Sequence, residues 1–357
     1  MRITTIQLFR LNSWLIKPYH WSFGALPFFD ATVAKVVLDD GSEGYGESTP
    51  VTGYSWESPD DVWEFAQKEA KILCGQESDC AVANLDALRH EHPFGVTPLM
   101  AALETANGCC GALKEEKRFP LVGILNCPDE RDIPDGLESL LAQGFTTIKY
   151  KIGKDVQSDV RKVRLIQALL NGRAVLRLDA NQHYSFEDAV LFAKSVSPEQ
   201  IELLEQPFAP DDWDSTKRFY PGCPFPLMLD ESIYGEKEIL RVATERCADW
   251  VKLKVVKSGG ISALIHQIRM LHDNGIKVIV GNGAATDISC YHELRACIDE
   301  GVASAGEMNG YLKLRTPLLP QALGFADGHA VLYANVSPYP ADDVLKQVSV
   351  STAVEFA

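Results

Sequence analysis

The chain has 357 residues, 46% hydrophobic and 23% charged, enough for about two domains with a large core at roughly 150 residues per domain. Its 34 basic and 49 acidic residues leave a net charge of −15, which argues against nucleic acid or an anionic membrane surface as partner. Nine cysteines without a C-x-x-C pair speak against a disulfide framework or zinc site and for a reducing cytoplasm.

The N-terminus lacks a signal-type apolar stretch, and no 18-residue uncharged apolar run suggests a membrane span. Thr4–Arg10 and Thr32–Leu38 read as strands, Asp39-Asp40-Gly41-Ser42 as a hairpin turn, and Gly44–Glu47 as the returning strand. Ser58-Pro59 supplies a helix cap with proline in the first turn. Thr97-Pro98 repeats that signal before a helix expected to run to about Lys117. Residues 1–118 thus read as an α+β module.

From Phe119 the rhythm changes to short β-rich runs alternating with amphipathic helical stretches. The runs are Leu121–Leu125, Thr147–Ile152, Ala174–Leu178, Glu202–Leu204, Pro226–Leu229, Trp250–Val255, Lys277–Val280 and Val302–Gly306. Eight such units predict an α/β fold with a (β/α)8 barrel over residues 119–321. The final stretch, 322–357, with the segment HAVLYANVSPYP, is expected to return and pack on the N-terminal module.

Barrel strands are covered by helices outside and filled by side chains inside, so both faces should be apolar. Two strands break the rule alike. In Ile148-Lys149-Tyr150-Lys151-Ile152 the apolar residues share one face and the lysines the other, and Val251-Lys252-Leu253-Lys254-Val255 repeats it. The apolar faces must meet helices, so the lysines point inward, which is costly unless they are paired. Partners stand at the ends of the intervening strands: Asp179 in LRLDAN, Glu205 in IELLEQP, and Asp230 with Glu231 in PLMLDES. Unrelated ion pairs would explain any one acid more readily than three on consecutive strands. Three carboxylates on one rim repel, and an all-oxygen donor set suits Mg²⁺.

Such a set fits removal of a proton α to a carboxylate. A cation stabilises the charge of the enediolate where it develops. A lysine kept neutral by partial burial beside other cations serves as base. Lys151 precedes the acids and Lys254 follows them.

The runs KYK at 149–151, DAN at 179–181, EQP at 205–207, DES at 230–232 and KLKVVKSGG at 252–260 together resemble the muconate-lactonizing-enzyme subgroup of the enolase superfamily. The resemblance covers nearly the whole chain and implies a modified (β/α)8 barrel of the (β/α)7β type with an N-terminal α+β capping domain. It implies Lys151 and Lys254 as the acid/base pair, and Asp179, Glu205 and Asp230 as Mg²⁺ ligands. Lys149 and Asn181 would be supporting groups, while Lys252 and Lys257 read as structural. Glu231 would pair with a strand-six lysine or stand by. The mandelate-racemase branch carries a histidine at the end of strand seven; VIVGNGAATD has none, which favours the two-lysine branch.

Gly281-Asn282-Gly283 resembles the start of a dinucleotide fingerprint, but Thr286 replaces its third glycine, and a bare rim beside a ligand is the better reading. Dipeptide epimerases of the subgroup place Asp-x-Asp at the end of strand eight to hold a substrate ammonium. Here Glu307 and Asn309 stand there, keeping one acid and suggesting an amine-bearing substrate. Tyr19, His20 and Trp21, with Tyr54 and Trp56, fall where the family has its specificity loops, and aromatics there would cap the site.

The expectation is an isomerase that racemises or epimerises an amino-acid-derived carboxylate. The alternatives are a dehydratase of a hydroxyproline-like acid, a lyase, and a cycloisomerase. A non-catalytic metal-binding barrel is the reading from another class, against which the inward lysines argue. The partner expected is a small-molecule carboxylate, in a cytoplasmic homo-oligomer.

Overall fold

An antiparallel hairpin opens the chain: β1 (Ile3–Trp21) pairs with β2 (Gly24–Leu38), and β2 with β3 (Glu43–Ser48). The computed structural model describes residues 1–21, 24–127 and 129–356. Both long strands run well past the short segments expected from sequence. The stretch around Tyr19 is therefore the end of a β-ribbon rather than an open loop.

Helices α1 (Pro59–Leu73), α2 (Ser78–Asp86) and α3 (Pro93–Ala106) cover this sheet, burying Ile6, Leu8, Ala34 and Val36 against Ala66, Leu99 and Leu103. Helix α1 starts where its cap predicts. The Ser58 hydroxyl accepts from Asp61 N at 3.2 Å and the Asp61 carboxylate from Ser58 N at 2.8 Å, a reciprocal box. Helix α3 departs from expectation, starting at Pro93 and ending at Ala106 with Pro98 inside it. Its start is set from outside: Glu57 accepts from Phe94 N at 2.8 Å and Gly95 N at 3.0 Å.

The second half alternates strand and helix: β4 (Lys117–Pro120), β5 (Gly123–Leu125), α4 (Ile133–Ala142), β6 (Thr147–Lys151), α5 (Val156–Leu170), β7 (Val175–Asp179), α6 (Phe186–Ser195), β8 (Ile201–Glu205) and α7 (Trp213–Phe219). Next come β9 (Leu227–Leu229), α8 (Glu236–Glu245), β10 (Trp250–Leu253), a single turn α9 (Val255–Ser258), α10 (Ile261–Asp273), β11 (Lys277–Val280) and α11 (Asp287–Asp299). Among the described residues, β5 to β11 form one parallel sheet in chain order.

The eighth predicted strand, Val302–Gly306, is not a strand but closes the ring. Gly306 N donates to Pro120 O and Val122 N to Gly306 O, each at 2.9 Å, while Glu307 N donates to Val280 O at 3.0 Å. One bridged residue is too short a ladder to count as a strand, yet it joins β5 to β11 as a (β/α)7β barrel requires.

Strand β4 lies outside the barrel, in an antiparallel sheet with β12 (Leu323–Ala326) and β13 (His329–Leu332). Helix α12 (Asp342–Val348) and β14 (Ser349–Phe356) return to the first sheet, where β14 pairs with β1 from Thr5↔Phe356 to Leu11↔Ser349. Asp342 takes the Lys35 ammonium at 3.0 Å beneath it. No helix of the described residues is long and apolar enough to cross a membrane.

Candidate active site

Alternation along β6 turns Ile148, Tyr150 and Ile152 toward the helices and Lys149 and Lys151 inward. Lys149 is 3% exposed, and its ammonium meets Asp179 at 2.8 Å, Glu205 at 2.8 Å and Glu307 at 3.0 Å. Burial alone would lower its pKa; the three carboxylates outweigh that and hold it well above the usual lysine value. Lys151, one step nearer the rim, donates to Asn181 Oδ1 at 2.9 Å.

The three acids end β7, β8 and the segment after β9. Asp179 is buried, and the lysines Lys149, Lys151 and Lys252 hold it ionised against the cost of burial. Glu205 is as deeply buried as Asp179; burial and the repulsion of Asp179 push its pKa up to about 7. Asp230 is held far below the carboxylate range, since Lys254, Lys257 and Lys252 overcome its burial. The residues behind these acids adopt left-handed backbone, Asn181 at φ 40°, Gln182 at 69° and Gln206 at 37°, uncommon for side-chain-bearing residues and concentrated at functional sites. Gln206 Oε1 in turn accepts from Asp230 N at 2.9 Å and Ser232 N at 3.2 Å, joining the second acid's strand to the third's.

On the facing strand, Lys252 binds Glu205 at 3.1 Å, Asp230 at 3.6 Å and Glu307. Lys254 donates to Asp230 Oδ2 at 2.8 Å and to the Tyr54 hydroxyl. Lys257 donates to Asp230 O at 2.6 Å and Oδ1 at 2.9 Å, and burial draws its pKa down to about 8. Glu231 meets no strand-ten lysine within ion-pair distance among the described residues. Its Oε1 accepts from Asn181 Nδ2 at 3.3 Å, and its Oε2 is buried without a hydrogen-bond partner there.

These groups open on a cavity of about 570 Å³ whose walls include Lys151, Asp179, Asp230, Lys254, Gly283 and Glu307, with Tyr19, Tyr54 and Trp56 contributed by the N-terminal module. The side chains of His20 and Trp21 lie outside the described residues. Asn309 is buried away from this cavity, donating to Val122 O at 3.3 Å and accepting from Lys313 Nζ at 2.8 Å. Glu307 reaches the wall, but its Oε2 already serves both Lys149 and Lys252. Lys313 gave no signal in the sequence: it ends a short turn, Gly310–Lys313, four residues past Asn309, and lysines are usually solvated.

Asp179, Glu205 and Asp230 are oxygen donors of the kind Mg²⁺ takes. Glu231 Oε2, buried without a hydrogen-bond partner among the described residues, marks a place short of positive charge. As the side chains stand, the Lys149 and Lys252 ammoniums lie between the acids. Among the described residues no three His, Cys, Asp or Glu side chains are arranged to hold an ion. The donors fit the ion in kind, and an ion among them would share the acids with the two lysines.

A closed parallel barrel with lysines on opposed strands and carboxylates on the strands between defines an enzyme that works on a small polar substrate at its C-terminal rim. Residues 133–335 match the enolase C-terminal domain-like family, and the chain belongs to it; it is an isomerase or lyase of the enolase superfamily. It is similar to N-succinyl-L-Arg/Lys racemase of Bacillus cereus, 24% identical over 331 residues that cover 88% of each chain. Similarity to cis-3-hydroxy-L-proline dehydratase of Roseibium aggregatum is 26% over 336 residues, 87% of this chain and 89% of that one. The fold matches that of a dipeptide epimerase from Cytophaga hutchinsonii, solved with Mg and D-Ala-L-Val, at a TM-score of 0.90, covering 99% of this chain and all of the other at 21% identity.

Proposed function

We propose that this enzyme removes the proton α to a substrate carboxylate and returns one to the opposite face, racemising or epimerising an amino-acid-derived acid. The observation that carries this reading is the position of two lysines around the ring. Counting the closing segment as the eighth member, β6 with Lys151 and β10 preceding Lys254 are four steps apart, half the circumference. Both lysines line one cavity.

The neutral form of one lysine takes the α-proton, its electron pair moves into the carboxylate as an enediolate, and the ammonium of the other lysine delivers a proton from across the barrel. Asn181 aims Lys151 through its 2.9 Å bond and is itself tied to Glu231; Asp230 and the Tyr54 hydroxyl aim Lys254. Lys149 and Lys252 also line the cavity, where they neutralise the buried acids. Trp56, tilted against Tyr234 with ring centroids 4.5 Å apart, and Tyr54 cover the mouth and limit water. Mg²⁺, held by Asp179, Glu205 and Asp230, would stabilise the second negative charge that builds on the substrate carboxylate.

Incubation of the Mg²⁺-supplemented enzyme in D₂O, followed by NMR and chiral analysis, tests this. Deuterium should enter at the α-carbon with inversion. Replacing Lys151 or Lys254 by alanine should cost on the order of 10²- to 10⁴-fold in rate. Loss of water from the β-carbon, yielding an unsaturated or imine product, would instead make the enzyme a dehydratase using the same first proton transfer.

A further inference from the structure

Two cysteines stand side by side in the turn that follows α3, in Asn107-Gly108-Cys109-Cys110-Gly111. Adjacent side chains on an extended chain point to opposite sides. Here the backbone bends instead, with Gly108 at φ 94° and Cys110 in the left-handed region at φ 53°. The two sulfurs face each other 3.7 Å apart. The turn is held from three directions. Cys109 N donates to Glu104 O at 3.0 Å, Asn107 Nδ2 donates to Ser78 Oγ on α2 at 2.6 Å, and the Arg295 guanidinium on α11 donates to Gly111 O. A side-chain-bearing residue keeps left-handed backbone only where its surroundings enforce it, and these bonds do so.

The two thiols differ. Cys109 is half-buried and lines a second cavity, of about 590 Å³, at the seam between α2, α3 and the start of α10. Cys110 is buried. With Cys110 as donor, their hydrogen bond holds the Cys109 thiol below its ordinary pKa, and the Arg295 charge adds to this. The same bond, with burial, holds Cys110 well above. Reactivity follows thiolate character and access, so Cys109 is the sulfur that attacks and Cys110 the one that resolves.

We propose that Cys109 and Cys110 form a redox site, which hydrogen peroxide entering this cavity oxidises to a disulfide between adjacent residues. The Cys109 thiolate attacks one peroxide oxygen, the O–O bond breaks, and the other oxygen takes up a proton and leaves as water. Cys110 gives up its proton and attacks the sulfenic sulfur of Cys109. The S–S bond forms as the S–O bond breaks, and a second water departs. Two thiols lose two electrons and two protons, and one peroxide becomes two waters. Neighbouring Cα atoms lie about 3.8 Å apart, less than most disulfides span, so a dithiol reductant should restore the thiols readily.

The test uses the full chain, reduced, freed of reductant and given one equivalent of hydrogen peroxide. Free thiols counted after denaturation should fall from nine to seven. The tryptic peptide His90–Lys114 carries these two cysteines and no other. It should be two hydrogens lighter and closed to iodoacetamide, and dithiothreitol should reverse both changes. Cys110→Ser should stop at the sulfenic acid, trapped on Cys109 by dimedone, whereas Cys109→Ser should leave Cys110 unlabelled. Peptide His90–Lys114 alkylated at both cysteines while the exposed Cys80 is oxidised would overturn the proposal. So would a disulfide joining Cys109 to a second chain, or as much dimedone adduct in the native protein as in Cys110→Ser. If either variant folds poorly, the mass of the native peptide decides.

Discussion

Glu293 is a charge that chemistry does not use and that still bears on the site. It sits on α11, fully buried, with Oε1 accepting from Val255 N at 3.0 Å, next to Lys254 in the chain. Its Oε2 has no hydrogen-bond partner among the described residues. Burial pushes its pKa from 4.5 to about 7. Between those values the folded protein holds a proton that the unfolded chain has released, so stability falls as pH rises from about 4.5 to about 7 and stays reduced above. A shift of that size corresponds to about 3 kcal/mol. Glu293→Gln keeps the acceptor for Val255 N and removes the ionisation. Urea midpoints at pH 5 and pH 8 should therefore show the variant gaining on the native protein at the higher pH. An unchanged difference between the two pH values would mean that Glu293 ionises freely where it lies.

Among the elements, three buried glutamates cap helices far from them in sequence. Glu57 holds the start of α3. Glu47, at the end of β3, accepts from Thr286 N at 2.8 Å and Ser289 N at 3.0 Å at the start of α11. Glu104, near the end of α3, accepts from Ile261 N at 2.7 Å and Ser262 N at 2.8 Å at the start of α10. Each satisfies amides that a helix cannot pair internally and favours its positive end. Glu104 also clamps the N-terminal module onto the segment that follows Lys254 and Lys257. Glu104→Ala strands two backbone donors, and at about 1–3 kcal/mol each should lower unfolding free energy by about 2–6 kcal/mol in urea titration; a loss below about 1 kcal/mol would mean water replaces the carboxylate. These long-range caps mark the limit of what sequence discloses. The Ser58 box is legible because both partners lie within one turn. The inward lysines and the acids are legible because strand alternation aims them. The start of α3 is misread because Glu57 is 36 residues ahead of Pro93 and no local pattern links them. Lys313 is missed for the same reason, since only the closing of the barrel brings it to Gly283 and Tyr19. The eighth strand is misjudged because ring closure needs one bridged residue rather than a full ladder.

At the scale of the whole molecule, a chain of net charge −15 folds around a cluster of buried acids balanced by buried lysines. Removing one partner of such a set is costly, because the remainder is left uncompensated in low dielectric. Lys149 and Lys252 supply that balance in the structure, and the proposed Mg²⁺ would draw on the same carboxylates. Stability and metal affinity should therefore be linked. In the native protein, Mg²⁺ at about a hundredfold above its dissociation constant should add about 2.7 kcal/mol to unfolding free energy, seen as a rise in the thermal midpoint that EDTA reverses together with activity. Lys149→Met leaves Asp179, Glu205 and Glu307 short of one cation, so its midpoint without metal should fall below the native one, and Mg²⁺ should raise it by a larger increment. Glu205→Gln removes a donor and should shrink the increment. A native midpoint that Mg²⁺ leaves unmoved, with turnover that survives EDTA, would show that the lysines alone balance these acids and that the substrate carboxylate is met by ammonium groups rather than by a divalent ion.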